Sequence, residues 1–196
     1  SQWLGVPLHA CVLFVLVFSL LASVLAQYRR YGTDGVLANC GVNCLAFLYL
    51  GLLAAFVVGI RVDLGLWETL ALMFVVKGSD IGAFTFGKLF GRHKFSPRVS
   101  PGKTWEGLAG AIIVAVGISL AFALAFDIMA WSWALLFGGI FAVTGQLGDL
   151  TESMMKRDAR QKDSANRVPG FGGILDVIDS PLVAAPFGYL FFRLVA

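Results

Sequence analysis

Residues 149–180 read DLTESMMKRDARQKDSANRVPGFGGILDVIDS, a stretch that sets cations, carboxylates and glycines between two apolar segments. An uncharged run at 131–148 precedes it, and a mainly apolar segment follows it to the end of the chain. A helix needs about 20 mainly apolar residues to cross a bilayer. We therefore expect this stretch to connect two membrane-spanning helices and to carry the chemistry of the protein.

The whole chain has the composition of an integral membrane protein. Hydrophobic residues make up 58% of it and charged residues 14%, and the mean hydropathy is +0.82, well above the balance of a soluble domain. Apolar runs of spanning length lie at about 4–26, 40–60, 64–86, 107–126, 131–148 and 174–196. The prediction is an all-α, polytopic transmembrane helix bundle of six spans with a polar cavity on its cytoplasmic side.

Within this bundle we expect an N-terminal transmembrane hairpin at 1–62 and a catalytic transmembrane domain at 63–196 that carries 149–180. Because the chain begins at Ser1 without an initiator Met, it is also expected to be part of a longer protein.

The basic residues predict the orientation. Twelve of the fifteen lysines and arginines fall in alternate connections, namely Arg29, Arg30, Lys88, Arg92, Lys94, Arg98, Lys103, Lys156, Arg157, Arg160, Lys162 and Arg167. The positive-inside rule makes these connections cytoplasmic.

Ionisable residues inside the spans indicate one site near that face. Such residues are costly in a bilayer, so each is a functional candidate. They are Lys77 and Asp80 in the third span, Asp149 at the end of the fifth, and Asp176 and Asp179 at the start of the sixth. Carboxylates without neighbouring His or Cys favour Mg²⁺, and a monovalent cation such as K⁺ is a further candidate beside it. The alternative is that the carboxylates only form ion pairs that stabilise the bundle.

Helical spacing and glycines add phosphate-binding groups to the same region. If the fifth helix continues past Asp149, then Ser153 and Lys156 share its face. Gly172 and Gly173 leave backbone N–H groups open to an anion before the sixth helix. Lys103 and Thr104 add a cation and a hydroxyl from a second connection, whereas Arg92 and Lys94 are expected to contact anionic lipid.

These positions resemble the signature of the phosphatidate cytidylyltransferase family, which has the form S-x-x-K-R-x4-K-D, a Gly-Gly turn and an Asp-x-x-Asp pair. The matching residues are Ser153, Lys156, Arg157, Lys162, Asp163, Gly172, Gly173, Asp176 and Asp179. The resemblance covers about 77–186 and includes Asp80, the 100–107 segment and Gly148-Asp149. Phe171 and Val177 differ from the His and Arg that are usual at their positions.

The resemblance implies transfer of a cytidylyl group from CTP to phosphatidic acid, which yields CDP-diacylglycerol and pyrophosphate. It implies metal ligation by Asp149, Asp176 and Asp179, with Lys156 and Ser153 completing the catalytic set. Substrate binding is assigned to Arg157, Lys162, Lys103, Thr104, Gly172, Gly173 and Asp80. We expect the protein to lie in the bacterial inner membrane, to bind no nucleic acid and to form a homodimer.

Two other functions are compatible with parts of the pattern. A CTP-dependent polyprenol or phytol kinase would pass the γ-phosphate to an alcohol, but the full S-x-x-K-R-x4-K-D run is similar to the cytidylyltransferases. A cation-coupled membrane transporter would also place acids in helices, but near the bilayer midplane in broken helices.

Overall fold

The computed structural model describes residues 8–97, 99–160 and 174–195, and of residues 8–11 and 174–176 it describes the backbone alone. The helices within these residues are α1 (Leu8–Tyr31), α2 (Val36–Ala46), α3 (Leu53–Gly59), α4 (Leu66–Phe90), α5 (Trp105–Phe126), α6 (Trp131–Asp158) and α7 (Ile174–Val195). π-Helical turns at Phe47–Leu52 and Ile60–Leu64 follow α2 and α3. A β-bridge pairs Lys94 with Thr104 in the α4–α5 connection.

Six helical segments of the described residues are long and apolar enough to cross a membrane. They are Val12–Tyr31, Val36–Leu64, Leu66–Phe90, Trp105–Phe126, Trp131–Asp158 and Val177–Val195. The predictions of an all-α fold and of six spans are therefore confirmed, and the chain is an integral membrane protein.

The fifth span is longer than its apolar run predicts. Helix α6 continues for ten residues beyond the expected end at 148, because Leu, Glu, Met, Lys and Arg are all good helix formers. Its 28 residues give a length of about 42 Å, which exceeds the roughly 30 Å hydrocarbon thickness of a bilayer. The charged last turns of α6 are thus part of a helix that also crosses the membrane.

The chain divides into two compact units, Ser1–Phe56 and Val57–Ala196. In the first unit, α1 packs against α2 through polar side chains that α1 buries. Asn39 donates a hydrogen bond to Gln27 (2.9 Å), and Asn43 donates one to Ser23 (2.7 Å). Such hydrogen bonds hold neighbouring helices together where lipid offers no polar partner.

Helices α4–α7 form the second unit, and glycines allow their close contacts. A Cβ atom on Gly82 would lie 2.8 Å from the Gly110 carbonyl oxygen, and one on Gly138 would lie 2.5 Å from Val116 Cα. A Cβ on Gly148 would lie 2.9 Å from Ser180 Cα. Small residues at such crossings let helix backbones approach. The α6–α7 approach at Gly148 brings together the segments that carry Asp149 and Asp179.

Aromatic packing fixes the other half of the α6–α7 pair. The Phe137 ring lies 4.3 Å from that of Phe141, 5.1 Å from that of Phe191 and 5.0 Å from that of Phe192, measured between centroids. Phe137 and Phe141 are fully buried. Since Phe137 precedes Asp149 by three turns of helix, the aromatic cluster and the carboxylates lie about 18 Å apart along α6.

Candidate active site

Three carboxylates gather where α6 meets α7. Asp149 and Glu152 lie on one face of α6, and Asp179 faces them from α7, with one oxygen atom of each within 4.8 Å of the others. Glu152 and Asp179 are buried, whereas the Asp149 side chain is 36% exposed. We call Asp149, Glu152 and Asp179 the acid cluster. An all-oxygen donor set of this charge suits a hard divalent cation, so these residues could hold a metal.

Each carboxylate of the acid cluster also contacts a lysine. Lys103 Nζ lies 2.5 Å from Asp149 Oδ2, and Lys156 Nζ lies 3.2 Å from Glu152 Oε2. Lys77 Nζ lies 3.3 Å from Asp179 Oδ1. Buried charges require such partners, because an unpaired ion in a helix bundle costs several kcal/mol.

A hydrogen-bonded network extends the acid cluster to α4. Lys77 Nζ also lies 3.2 Å from Asp80 Oδ2, which is the pair that their spacing predicts. Gln146 donates a hydrogen bond to Asp80 Oδ1 (3.1 Å), while its backbone carbonyl accepts one from Lys103 (3.0 Å). The network therefore links α4, α6, α7 and the connection that precedes α5.

Lys103 contacts the acid cluster from the α4–α5 connection, which Glu106 holds in place through hydrogen bonds. Glu106 Oε2 accepts hydrogen bonds from the backbone N–H groups of Arg92 (3.1 Å) and His93 (3.2 Å), and Oε1 lies 2.6 Å from His93 Nδ1. Thr104 caps α5 by accepting a hydrogen bond from the Gly107 N–H (3.1 Å). A lysine near a helix end usually extends toward water, but the Lys103 side chain is only 12% exposed. The connection thus directs this cation into the bundle.

Comparison with known proteins identifies the family. A sequence model of the cytidylyltransferase family matches residues 2–195. The chain belongs to this family. Its relatives include phosphatidate cytidylyltransferases of three bacteria, which match 97%, 65% and 83% of this chain. The Bacillus subtilis protein is 36% identical, that of Haemophilus influenzae 41% and that of Chlamydia pneumoniae 36%. The chain spans 70%, 46% and 57% of the length of these relatives. The family resemblance seen in the motifs is therefore confirmed.

The structure of this cytidylyltransferase-family chain brings several of the predicted site residues together. Asp149, Asp179, Lys156, Lys103 and Asp80 all belong to the acid cluster or to the network around it.

Other predicted site residues lie at its margins or beyond the described part of the chain. Ser153 is half-buried and Arg157 is exposed on the last turns of α6. The Thr104 hydroxyl caps α5. Lys162, Gly172, Gly173 and the side chain of Asp176 lie outside the described residues, so their roles stay predictions.

The structure adds two residues that the sequence analysis did not assign to the site. Glu152 lies three residues after Asp149 and four before Lys156, so its spacing would have placed it on their face once α6 was known to continue. The apolar run ends at 148, however, so hydropathy alone places Glu152 outside the span. Gln146 is an uncharged residue inside an apolar run, and its side-chain contact is with a residue of another helix.

Proposed function

We propose that this chain transfers a cytidylyl group from CTP to phosphatidate, releasing pyrophosphate and leaving CDP-diacylglycerol in the membrane. The observation that carries the proposal is the acid cluster, surrounded by lysines at the crossing of two membrane helices. The relatives of this chain that are named phosphatidate cytidylyltransferase support the choice of both substrates.

The acid cluster is the proposed Mg²⁺ site. Three carboxylates within 4.8 Å of one another repel unless cations lie beside them. The lysines offset part of this repulsion, and a divalent cation held by these residues would offset more of it. Asp176 is a proposed further ligand, and a monovalent cation such as K⁺ is proposed beside the first ion. When bound, the divalent ion neutralises charge on the phosphates and on the leaving pyrophosphate.

The lysines then act on phosphate oxygens. Within the described residues, the carboxylates of Asp80 and the acid cluster outnumber the contacting ammonium groups of Lys77, Lys103 and Lys156 by four to three. With a cation bound to the carboxylates, the ammonium groups of these lysines would be available for charge-assisted hydrogen bonds with phosphate. Lys103 and Lys156 are placed to receive the triphosphate of CTP. Arg157, Lys162, Ser153, Thr104 and the Gly172 and Gly173 amides are the proposed additional contacts.

The proposed reaction needs no covalent enzyme intermediate. A phosphate oxygen of the lipid attacks the α-phosphorus of CTP, and the bond from that phosphorus to the bridging oxygen of the β-phosphate breaks. Pyrophosphate leaves with the electrons of that bond. Rate enhancement comes from alignment of the two substrates and from neutralisation of charge, as in phosphoryl transfer generally.

The proposed orientation places this chemistry on the cytoplasmic side of a bacterial inner membrane. Lys88, Arg92, Lys94 and Arg157 lie in or beside connections that the positive-inside rule assigns to the cytoplasm. The homodimer stays a prediction.

One experiment tests the reaction directly. Purified protein in sealed lipid vesicles with Mg²⁺ is given phosphatidate, a polyprenol or phytol, and CTP labelled either at the α- or at the γ-phosphate. Cytidylyl transfer moves the α-label into lipid and releases the γ-label as pyrophosphate. Transfer of the γ-label to a polyprenol or phytol acceptor would establish a kinase instead, and cation flux without transfer of either label would establish a transporter.

Arg157→Ala is expected to weaken the use of CTP more than that of phosphatidate. Arg157 follows Lys156 on the exposed end of α6, beyond the acid cluster. Loss of a hydrogen bond to a charged group costs about 1.5–3 kcal/mol, so kcat/KM for CTP should fall about tenfold to hundredfold. Steady-state kinetics with each substrate varied in turn measures the effect.

Arg160→Ala is the matched control, since it removes the same charge three residues further along. It should change kcat/KM for CTP and for phosphatidate by less than about twofold. A defect of Arg157→Ala confined to the phosphatidate titration would instead place this arginine at the lipid headgroup.

A further inference from the structure

Lys77 combines two properties that the other lysines of the site do not share. It lies near the middle of α4, 11 residues from the start of the helix and 13 from its end. Its side chain is 33% exposed, against 12% for Lys103 and 19% for Lys156. An ammonium group near the middle of a spanning helix is costly in a bilayer, so Lys77 is a functional candidate.

The α4 surface around Lys77 is apolar and open. Phe74, Ile81 and Phe84 lie on the same helical face as Lys77, at spacings of three, four and seven residues. Ile81 is 67% exposed and Phe84 is 70% exposed. We call Phe74, Ile81 and Phe84 the α4 stripe. It forms an exposed apolar surface beside a cation that contacts the acid cluster.

The two substrates of the proposed reaction must arrive from different phases. CTP is a polyanion and comes from water, whereas the acyl chains of phosphatidate stay in the bilayer. Lys103 and Lys156 belong to the connection before α5 and to the charged end of α6. Lys77 instead lies where a lipid with its chains along the α4 stripe would present a phosphate.

We propose that Lys77 binds the phosphate headgroup of the acceptor lipid, which enters laterally from the bilayer along the α4 stripe. The inference rests on the proposed function and assigns the acceptor subsite of the same reaction. The ligand class is a phosphomonoester lipid with acyl chains.

The contacts of Lys77 allow this exchange of partners. Its ammonium group lies between Asp80 (3.2 Å) and Asp179 (3.3 Å). Each acid keeps a hydrogen bond if Lys77 turns to a phosphate, because Gln146 donates to Asp80 and the Ser180 hydroxyl donates to Asp179 (3.3 Å). The lysine can thus hold a headgroup beside the acid cluster and leave no carboxylate of the pair without a donor.

Lys77→Met tests the subsite, because methionine keeps the length and apolar character of the side chain and removes the charge. The KM for phosphatidate should rise about tenfold to hundredfold, the scale of a lost charged hydrogen bond, while the KM for CTP changes less than about twofold. Lys88→Met is the matched control: Lys88 lies on the same face three turns later, where its ammonium group sits 5.9 Å from the Phe84 ring centre. Its KM for phosphatidate should stay near that of the wild type.

A second variant tests the route separately from the headgroup. Ile81→Asn makes the α4 stripe polar and should raise the KM for a long-chain phosphatidate several-fold, with less effect on a water-soluble dihexanoyl phosphatidate. If Lys77→Met does not fold, Lys77→Arg takes its place. Its changed geometry should shift the phosphatidate KM by a few-fold and leave the CTP KM unchanged.

Native mass spectrometry separates this inference from the proposed reaction. Phosphatidate retention without CTP should be about tenfold weaker in Lys77→Met than in the wild type and in Lys88→Met, whether or not either protein transfers label. Equal retention in all three proteins, or a kinetic defect in Lys77→Met that appears only with CTP, would overturn the subsite. Absence of α-label transfer by the wild type, with the retention difference intact, would overturn the proposed reaction alone.

Discussion

Asp149→Asn is expected to lower kcat/KM by about 10²- to 10³-fold, the scale seen when one preorganised electrostatic contact to a transition state is removed. The change keeps the shape of the side chain but removes a negative charge from the acid cluster. It also takes away the carboxylate that Lys103 contacts at 2.5 Å. Transfer of α-label to phosphatidate, measured over a range of Mg²⁺ concentrations, quantifies the loss. Binding of Mn²⁺ in place of Mg²⁺, followed by electron paramagnetic resonance, should weaken in parallel.

Asp158→Asn provides the comparison, because Asp158 is an exposed carboxylate at the end of the same helix. Its activity should stay within about twofold of the wild type, since isolated surface charges contribute little. Wild-type activity of Asp149→Asn at every Mg²⁺ concentration would remove Asp149 from the proposed metal site.

Gly138→Ala is expected to destabilise the bundle by about 1–3 kcal/mol, the usual cost of forcing extra atoms into a packed interior. The new Cβ would lie 2.5 Å from Val116 Cα and 2.7 Å from Val116 N. Both are backbone atoms, so no side-chain rotation relieves the clash and α6 must move away from α5. Equilibrium unfolding in detergent measures the loss.

The adjacent Gly139→Ala separates the effect of the steric clash from the higher helix propensity of alanine. A Cβ at Gly139 meets no atom within 4 Å, and replacing Gly by Ala inside a helix gains up to about 1 kcal/mol. This variant should therefore be as stable as the wild type or more stable. Equal unfolding free energies for the two variants would contradict the close approach of α5 and α6.

The spans could be predicted from the sequence because the apolar content of a segment largely determines its free energy of transfer from water into lipid. The same criterion failed at the end of α6. It stops at the first charges, whereas the helix stops only at Asp158. Helix propensity, which hydropathy ignores, carries α6 through those charges.

The residues of the candidate site likewise fall into those that the sequence pattern predicts and those that depend on the folded structure. Asp149, Lys156 and Asp179 could be assigned to the candidate site because their positions match a family pattern, and Lys77 could be paired with Asp80 because they lie one turn apart. The contact between Lys103 and Asp149 joins residues 46 positions apart in the chain, and no local spacing predicts it. Glu152 was missed because its place in the acid cluster depends on where α6 ends.

The lysines that contact the acid cluster also bear on how the bundle assembles. Every carboxylate of the cluster contacts an ammonium group of the chain itself, and two of these contacts join different segments: Lys103 meets Asp149, and Lys77 meets Asp179. Those charges are compensated only after α4, α6 and α7 have come together. Since an uncompensated charge is costly in a bilayer, the ion pairs favour the assembled bundle over separated helices.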